Sequence, residues 1–230
     1  MISMETFRQK VCWYDFEFNF NKHHDSFVTQ INSFTEKMLN KGQSSQYYFK
    51  QRNASFPKKD IEIGKYGEFA ASLILHSGKV TSDRFPALMP DFEIRKGGSK
   101  GWDCDLPFSI KDKNFPDCHV KTCDQNSSDF VNRASGGSSK YTWTFQYGNV
   151  SGNGGRDELF FKPDSEELIL FMFVPFIEGK KAKIVASAPW NKLQKIIKDP
   201  IASKFKGIKK CIYSEDLIAL SKQEVILKNF

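Results

Sequence analysis

The chain has 230 residues, 40% hydrophobic, 27% charged and 14% aromatic, with a formal net charge of +7. Its 22 phenylalanines need an interior, which excludes a disordered chain, and the length allows a core without disulfides or a structural metal. The longest apolar run, Leu168 to Ile177, contains Pro175 and is far shorter than the ~20 residues of a membrane-spanning helix. Five cysteines at irregular spacing make no disulfide framework, and the N-terminus lacks the basic-then-apolar pattern of a signal peptide. The expectation is a soluble, intracellular, cytoplasmic protein with no membrane partner.

The positive charge is concentrated at one end. Between Gly179 and Phe230 twelve lysines face Asp199, Glu215, Asp216 and Glu224, a local balance of +8, so the rest of the chain carries −1. A basic C-terminal region suits contact with phosphate backbones.

In chain order, Phe27, Val28, Ile31, Phe34, Met38 and Leu39 recur at helical spacing, with Asp25 or Ser26 as cap and Gly42 beyond the end. Residues 1–60 read as an N-terminal helical segment with a polar connector at 43–59, and 61–230 as the core with its Lys-rich end. A second helix is expected from about Ile63 to Ser77. Tyr66, Ala70, Leu73 and Ile74 form its apolar stripe, while Glu68 shares another stripe with the small residues Gly64, Ala71 and Ser72. That second stripe suits close approach to a neighbouring element.

Strands are expected next, at 91–95, 102–106, 117–123, 141–147, 167–177 and 181–187. The 167–177 run is continuously apolar and reads as a strand covered on both faces. Pro189 opens a short helix bearing Trp190, Leu193, Ile196 and Ile197, and Ser214 caps a last helix over 214–220. This order of elements is that of an α/β or α+β sheet with helices on its faces.

Strand alternation sorts the polar residues. His119, Lys121 and Cys123 share one face of the 117–123 strand, and Asp103 and Asp105 share one face of the 102–106 strand. If the two strands pair, two carboxylates, an imidazole and an ammonium converge, and Glu68 from the preceding helix adds a third carboxylate. Carboxylate oxygens bind Mg2+ or Mn2+, and a lysine beside them stabilises charge developing on a phosphate.

The order Gly64 to Glu68 at a helix, then Asp105-Leu106, then His119-Val120-Lys121-Thr122, resembles the PD-(D/E)XK nuclease superfamily over roughly residues 61–125. The resemblance implies a restriction-endonuclease-like mixed central β-sheet flanked by α-helices. It implies a divalent-metal-dependent endodeoxyribonuclease, of the type II restriction kind, using Mg2+ or Mn2+. Asp105 and Glu68 would be metal ligands with Asp103 assisting; His119 would be a ligand in the place of the usual Asp or Glu; Lys121 would act on the phosphate or the water. Asp103 and Asp91 remain alternatives to Asp105. Gln125, Asn126, Arg133 and Lys140, in and around the Ser/Asn/Gly-rich segment after the strand, are the candidate DNA contacts, with Trp143 and Gln146 near the cut site. The implied partners are double-stranded DNA and a second copy of the chain, since each site cuts one strand.

Competing readings are a nuclease fold that has lost catalysis at His119 and only binds nucleic acid, and a structure-specific repair or recombination nuclease. A zinc site from Cys104, Cys118, His119 and Cys123 lacks a Cys-X2-Cys knuckle, and alternation turns its members apart. No phosphate-binding G-X4-G-K-S/T loop occurs, which argues against ATP or GTP use.

Overall fold

A computed structural model describes residues 10–19, 24–40, 57–76, 118–124, 141–148, 156–174, 181–200, 207–222 and 225–227. The expected strands at 91–95 and 102–106 lie outside these residues. The elements in order are β1 (Cys12–Asn19), α1 (His24–Asn40), α2 (Pro57–His76), β2 (Cys118–Cys123), β3 (Thr142–Gln146), a 3-10 turn (Glu158–Phe161), β4 (Leu168–Phe173), β5 (Lys181–Pro189), α3 (Trp190–Leu193), β6 (Lys209–Tyr213), α4 (Ser214–Lys222) and β7 (Val225–Leu227). The chain is a mixed α/β structure. Among the described residues no helix is long and apolar enough to cross a membrane.

Five strands form a mixed sheet in the order β2-β4-β5-β1-β7. β2 is parallel to β4 and β1 parallel to β7, while β4–β5 and β5–β1 are antiparallel. A two-stranded antiparallel sheet, β3–β6, covers one face of it. Helices α1 and α2 cover the other.

β4 explains this layering. All six of its residues are buried. Leu168, Leu170 and Met172 enter the core beneath α1 and α2, and Ile169, Phe171 and Phe173 enter the core beneath β3 and β6. A half-exposed strand would alternate apolar and polar; one covered twice is apolar throughout. The expectation from the apolar run therefore holds over the strand Leu168–Phe173, residues 175–177 of the run lying outside the described residues.

A register shift in β5 lies between the residues paired with Phe171 and Met172, which face Ala186 and Ile184. The extra residue, Val185, reverses the alternation. Ala182 and Ile184 thus join the helix-side core, and Ala186 and Ala188 the opposite one.

Both N-terminal elements carry more than their sequence suggests. β1 lies between β5 and β7, with Cys12 and Tyr14 on the helix side and Val11 on the other. Reading 1–60 as helical overlooked this strand, because Trp13, Tyr14, Phe16 and Phe18 are interrupted by acidic residues. α1 forms where the helical repeat places it but starts at His24, so Asp25 and Ser26 lie inside its first turn rather than capping it; Asp25 there and Lys37 in the last turn each complement the helix dipole. Its Phe27 stacks on Phe69 and meets Tyr66 of α2 edge-on at 6.5 Å.

α2 starts six residues before the expected Ile63, at Pro57. Proline suits the first helical position, where its missing N–H has no intrahelical role. Its close approach to the sheet is at Gly67, not at Gly64. A Cβ on Gly67 would overlap the Thr122 side chain, whereas one on Gly64 would meet nothing within 4 Å. β6 was not anticipated, its Lys209-Lys210 start having the look of a solvated surface.

Candidate functional site

β2 lies at one edge of the five-stranded sheet among the described residues, next to β4. Its alternation matches the expectation. Cys118 and Val120 belong to the helix-side core and Thr122 packs on Gly67 of α2, whereas Cys123 belongs to the opposite core. His119 and Lys121 share the face of Cys123.

Each is held by a carboxylate from the segment between β3 and β4. His119 Nε2 lies 2.7 Å from Glu167 Oε2, and a carboxylate only accepts, so the imidazole N–H donates. Lys121 Nζ donates to Asp157 Oδ2 at 2.8 Å, and its ammonium sits 5.0 Å from the centre of the Phe145 ring. The lysine thus has a counter-ion on one side and an aromatic face on another.

The two carboxylates are themselves positioned by backbone. The Asp157 N–H donates to the Gln146 carbonyl at the end of β3, and Asp157 Oδ1 accepts from the Leu159 N–H, capping the 3-10 turn. Glu167 immediately precedes β4; its N–H donates to Ser165 Oγ and its carbonyl accepts from the Trp190 N–H. Lys162 Nζ donates to Glu167 Oε1 at 3.3 Å.

Burial opposes ionisation of Asp157, but the Lys121 charge and hydrogen bond, the Leu159 amide and nearby His119 outweigh it and hold the carboxyl below its usual range. Glu167 is also lowered, first by the hydrogen bond from His119, against burial, with His119 and Lys162 charges adding. Both groups are anionic at neutral pH. What results is a partly buried pair of anions, Glu167 between Lys162 and His119, and Asp157 against Lys121.

Glu68 is elsewhere. It is 9% exposed, accepts from Lys65 Nζ at 2.7 Å, and belongs to the helix that packs on the Cys118/Val120/Thr122 face. β2 therefore separates the helix carrying Glu68 from the face bearing His119 and Lys121. Asp124, just past β2, is buried and pairs with Lys59 of the first turn of α2 at 3.3 Å. Of the other candidates, Asp91, Asp103, Asp105, Gln125, Asn126, Arg133 and Lys140 lie outside the described residues. Trp143 is a core residue whose indole N–H donates to the Met172 carbonyl, and Gln146 bonds Lys209.

Asp157 and Glu167 were missed by the sequence reading. Each left a faint signal: Asp157 precedes a short turn after a Gly-rich segment, and Glu167 is a charge directly abutting an apolar strand. Among the described residues, no group of three or more His, Cys, Asp or Glu side chains is arranged to hold a metal ion.

No family model, curated protein or solved structure matches the chain.

Proposed function

We propose that this chain is a divalent-metal-dependent endodeoxyribonuclease with a restriction-endonuclease-like fold, hydrolysing double-stranded DNA as a homodimer. One observation carries the reading: His119 and Lys121 stand side by side on one face of an edge strand, each oriented by a carboxylate. This agrees with the order of residues that resembles the nuclease superfamily.

Bound at Asp105 with Asp103 and His119, Mg2+ or Mn2+ would neutralise phosphate charge and acidify a water molecule, while Glu68, on the other side of β2, stays paired with Lys65 and outside the donor set. Lys121 offers its ammonium to the phosphate oxygen on which negative charge accumulates, and Asp157 keeps the lysine extended toward that position until a phosphate takes over the ion pair. His119 offers the metal the ring nitrogen that Glu167 does not occupy, with Glu167 fixing the tautomer and the orientation of the ring. The Lys-rich C-terminal region and residues Gln125, Asn126, Arg133 and Lys140 contact the DNA.

The test is cleavage of supercoiled plasmid and long linear DNA in Mg2+, Mn2+ and EDTA, with Lys121→Ala and Asp105→Ala beside the parent. Discrete bands that require metal and vanish in both variants support a sequence-specific endonuclease; a smear supports a nonspecific one. A second reading, a nuclease fold that binds DNA without cutting it, is favoured by the pairing of both His119 and Lys121 with carboxylates, as in an ordinary charged sheet face. DNA retarded in EDTA and uncut in every metal would decide for it.

A further inference from the structure

We infer that Tyr147, Arg156, Phe160 and Phe161 form a stacking platform for an unpaired base of single-stranded DNA, next to the Lys121 face. The inference rests on the nuclease reading and specifies its substrate as DNA with an unpaired nucleotide beside the scissile phosphate.

The platform is built around one guanidinium. Arg156 Cζ lies 4.1 Å from the centre of the Tyr147 ring, 5.3 Å from that of Phe160 and 5.5 Å from that of Phe161. Among the described residues no carboxylate pairs with it. A guanidinium among ring faces still has five N–H donors in a planar fork to offer a phosphate, a geometry that lysine lacks. Lys210 Nζ adds a second cation 4.7 Å from the Tyr147 ring, its charge shared with Asp199.

The rings are held before any ligand arrives. The Tyr147 and Gly148 N–H groups both donate to the Ile208 carbonyl, and the 3-10 turn fixes Phe160 and Phe161. Phe160 meets Tyr147 edge-on at 4.9 Å and is backed by Trp190 at 5.2 Å and Phe145 at 6.3 Å. Phe161, in contrast, is 68% exposed. A solitary exposed phenylalanine needs no explanation; one beside an arginine that no carboxylate pairs with among the described residues, and beside a rigid pair of rings, offers an apolar face and a cation together, which is what a nucleotide presents the complement of.

Its position ties it to the site. Phe145 lies beneath the Lys121 ammonium and edge-on to Phe160, and Arg156 is followed in the chain by Asp157, the partner of Lys121. Phe145 and Phe160 thus connect the Lys121 ammonium to this surface through two consecutive ring contacts. The exposed Glu158 and Asp164 nearby disfavour a duplex lying flat here with its two charged backbones, and a single base stacking edge-in avoids that repulsion.

The experiment is binding of a fluorescent thymidine homopolymer, the matching RNA homopolymer and a DNA duplex to the full chain in EDTA, so that cleavage plays no part. Phe161→Ala and Arg156→Lys are compared with the parent, and folding is checked by circular dichroism. Phe161→Ala is expected to weaken single-stranded DNA about tenfold, the loss of one base–aromatic stack, with the duplex changed less than about twofold. Arg156→Lys, which keeps the charge and loses the plane, is expected to weaken it by a similar factor. The inference is overturned if the parent fails to bind single strands, if both DNAs weaken equally, if only RNA responds, or if Phe161→Ala leaves binding intact and instead changes the sedimentation of the chain. Plasmid cleavage by the parent, run separately in Mg2+, shows whether such a failure touches the platform alone or the nuclease reading with it.

Discussion

The two faces of β2 belong to one six-residue strand, yet opposite constraints govern them. On the helix side, Cys118, Val120 and Thr122 meet α2 so closely that residue 67 has no room for a side chain. On the other side, His119 and Lys121 are held at distance by carboxylates from the segment before β4, with an aromatic floor below. One face is specified by shape and the other by charge. Mutations should therefore fail on the first for lack of space and on the second for lack of a counter-ion.

The largest effect is expected where both faces share a core strand. Phe171→Ala in β4 removes a fully buried ring packed against Trp143 at 5.0 Å, and should lower unfolding free energy by about 3–5 kcal/mol in urea titration. A cost under about 1 kcal/mol would mean that the sheet-side core repacks freely.

On the helix face, Gly67→Ala should cost about 1–3 kcal/mol through overlap with Thr122. Thr122→Ala should recover most of that loss in the double variant, because the clash is with this side chain and the buried Thr122 hydroxyl has no hydrogen-bond partner to lose among the described residues. Equal and additive losses would place the strain elsewhere.

On the charged face the probe is pH. The folded-state carboxyls of Asp157 and Glu167 are lowered, so the stability they contribute is present above the unfolded carboxylate pKa of about 4 and is lost as pH falls through their lower folded values. Thermal unfolding of the parent should therefore weaken on acidification through that window. Asp157→Asn with Glu167→Gln should be less stable at neutral pH, by about 1–3 kcal/mol, and show a flatter acid dependence. An unchanged slope would show that other carboxylates carry the acid response.

The smallest effect is expected away from both faces of β2. Tyr14 Oη and Ser187 Oγ lie 2.9 Å apart between β1 and β5, and burial, with Cys12 adding, pushes the phenol well above its usual range. Tyr14→Phe should cost about 1 kcal/mol by leaving the serine hydroxyl unpaired. The pair then reports on β1 alone, and a neutral result would mark it as solvated.

Much of this architecture is visible in local pattern. The alternation of Cys118 to Cys123 assigns their faces, the apolar run at 168 reveals a doubly covered strand, and the helical repeat from Phe27 to Leu39 marks α1, because strand and helix periods are properties of the backbone. β1 and β6 were overlooked, since acidic residues break up the first and two lysines open the second; their pairing with β5 and β3 comes from partners far along the chain. The site divides similarly. His119 and Lys121 stand out at a spacing of two, but Asp157 and Glu167 are 36 and 48 residues from the side chains they hold.

The sequence by itself determined which side chains of β2 share a face and that the segment from Leu168 must be buried, because backbone geometry and hydrophobicity act over a few residues. Tertiary structure alone decided which carboxylate neutralises which cation, that the helix bearing Glu68 packs on the face of β2 opposite to His119 and Lys121, and that residue 67 must be glycine. Those are contacts between distant segments. They follow from how the sheet is ordered and how closely its layers approach, which no local period records.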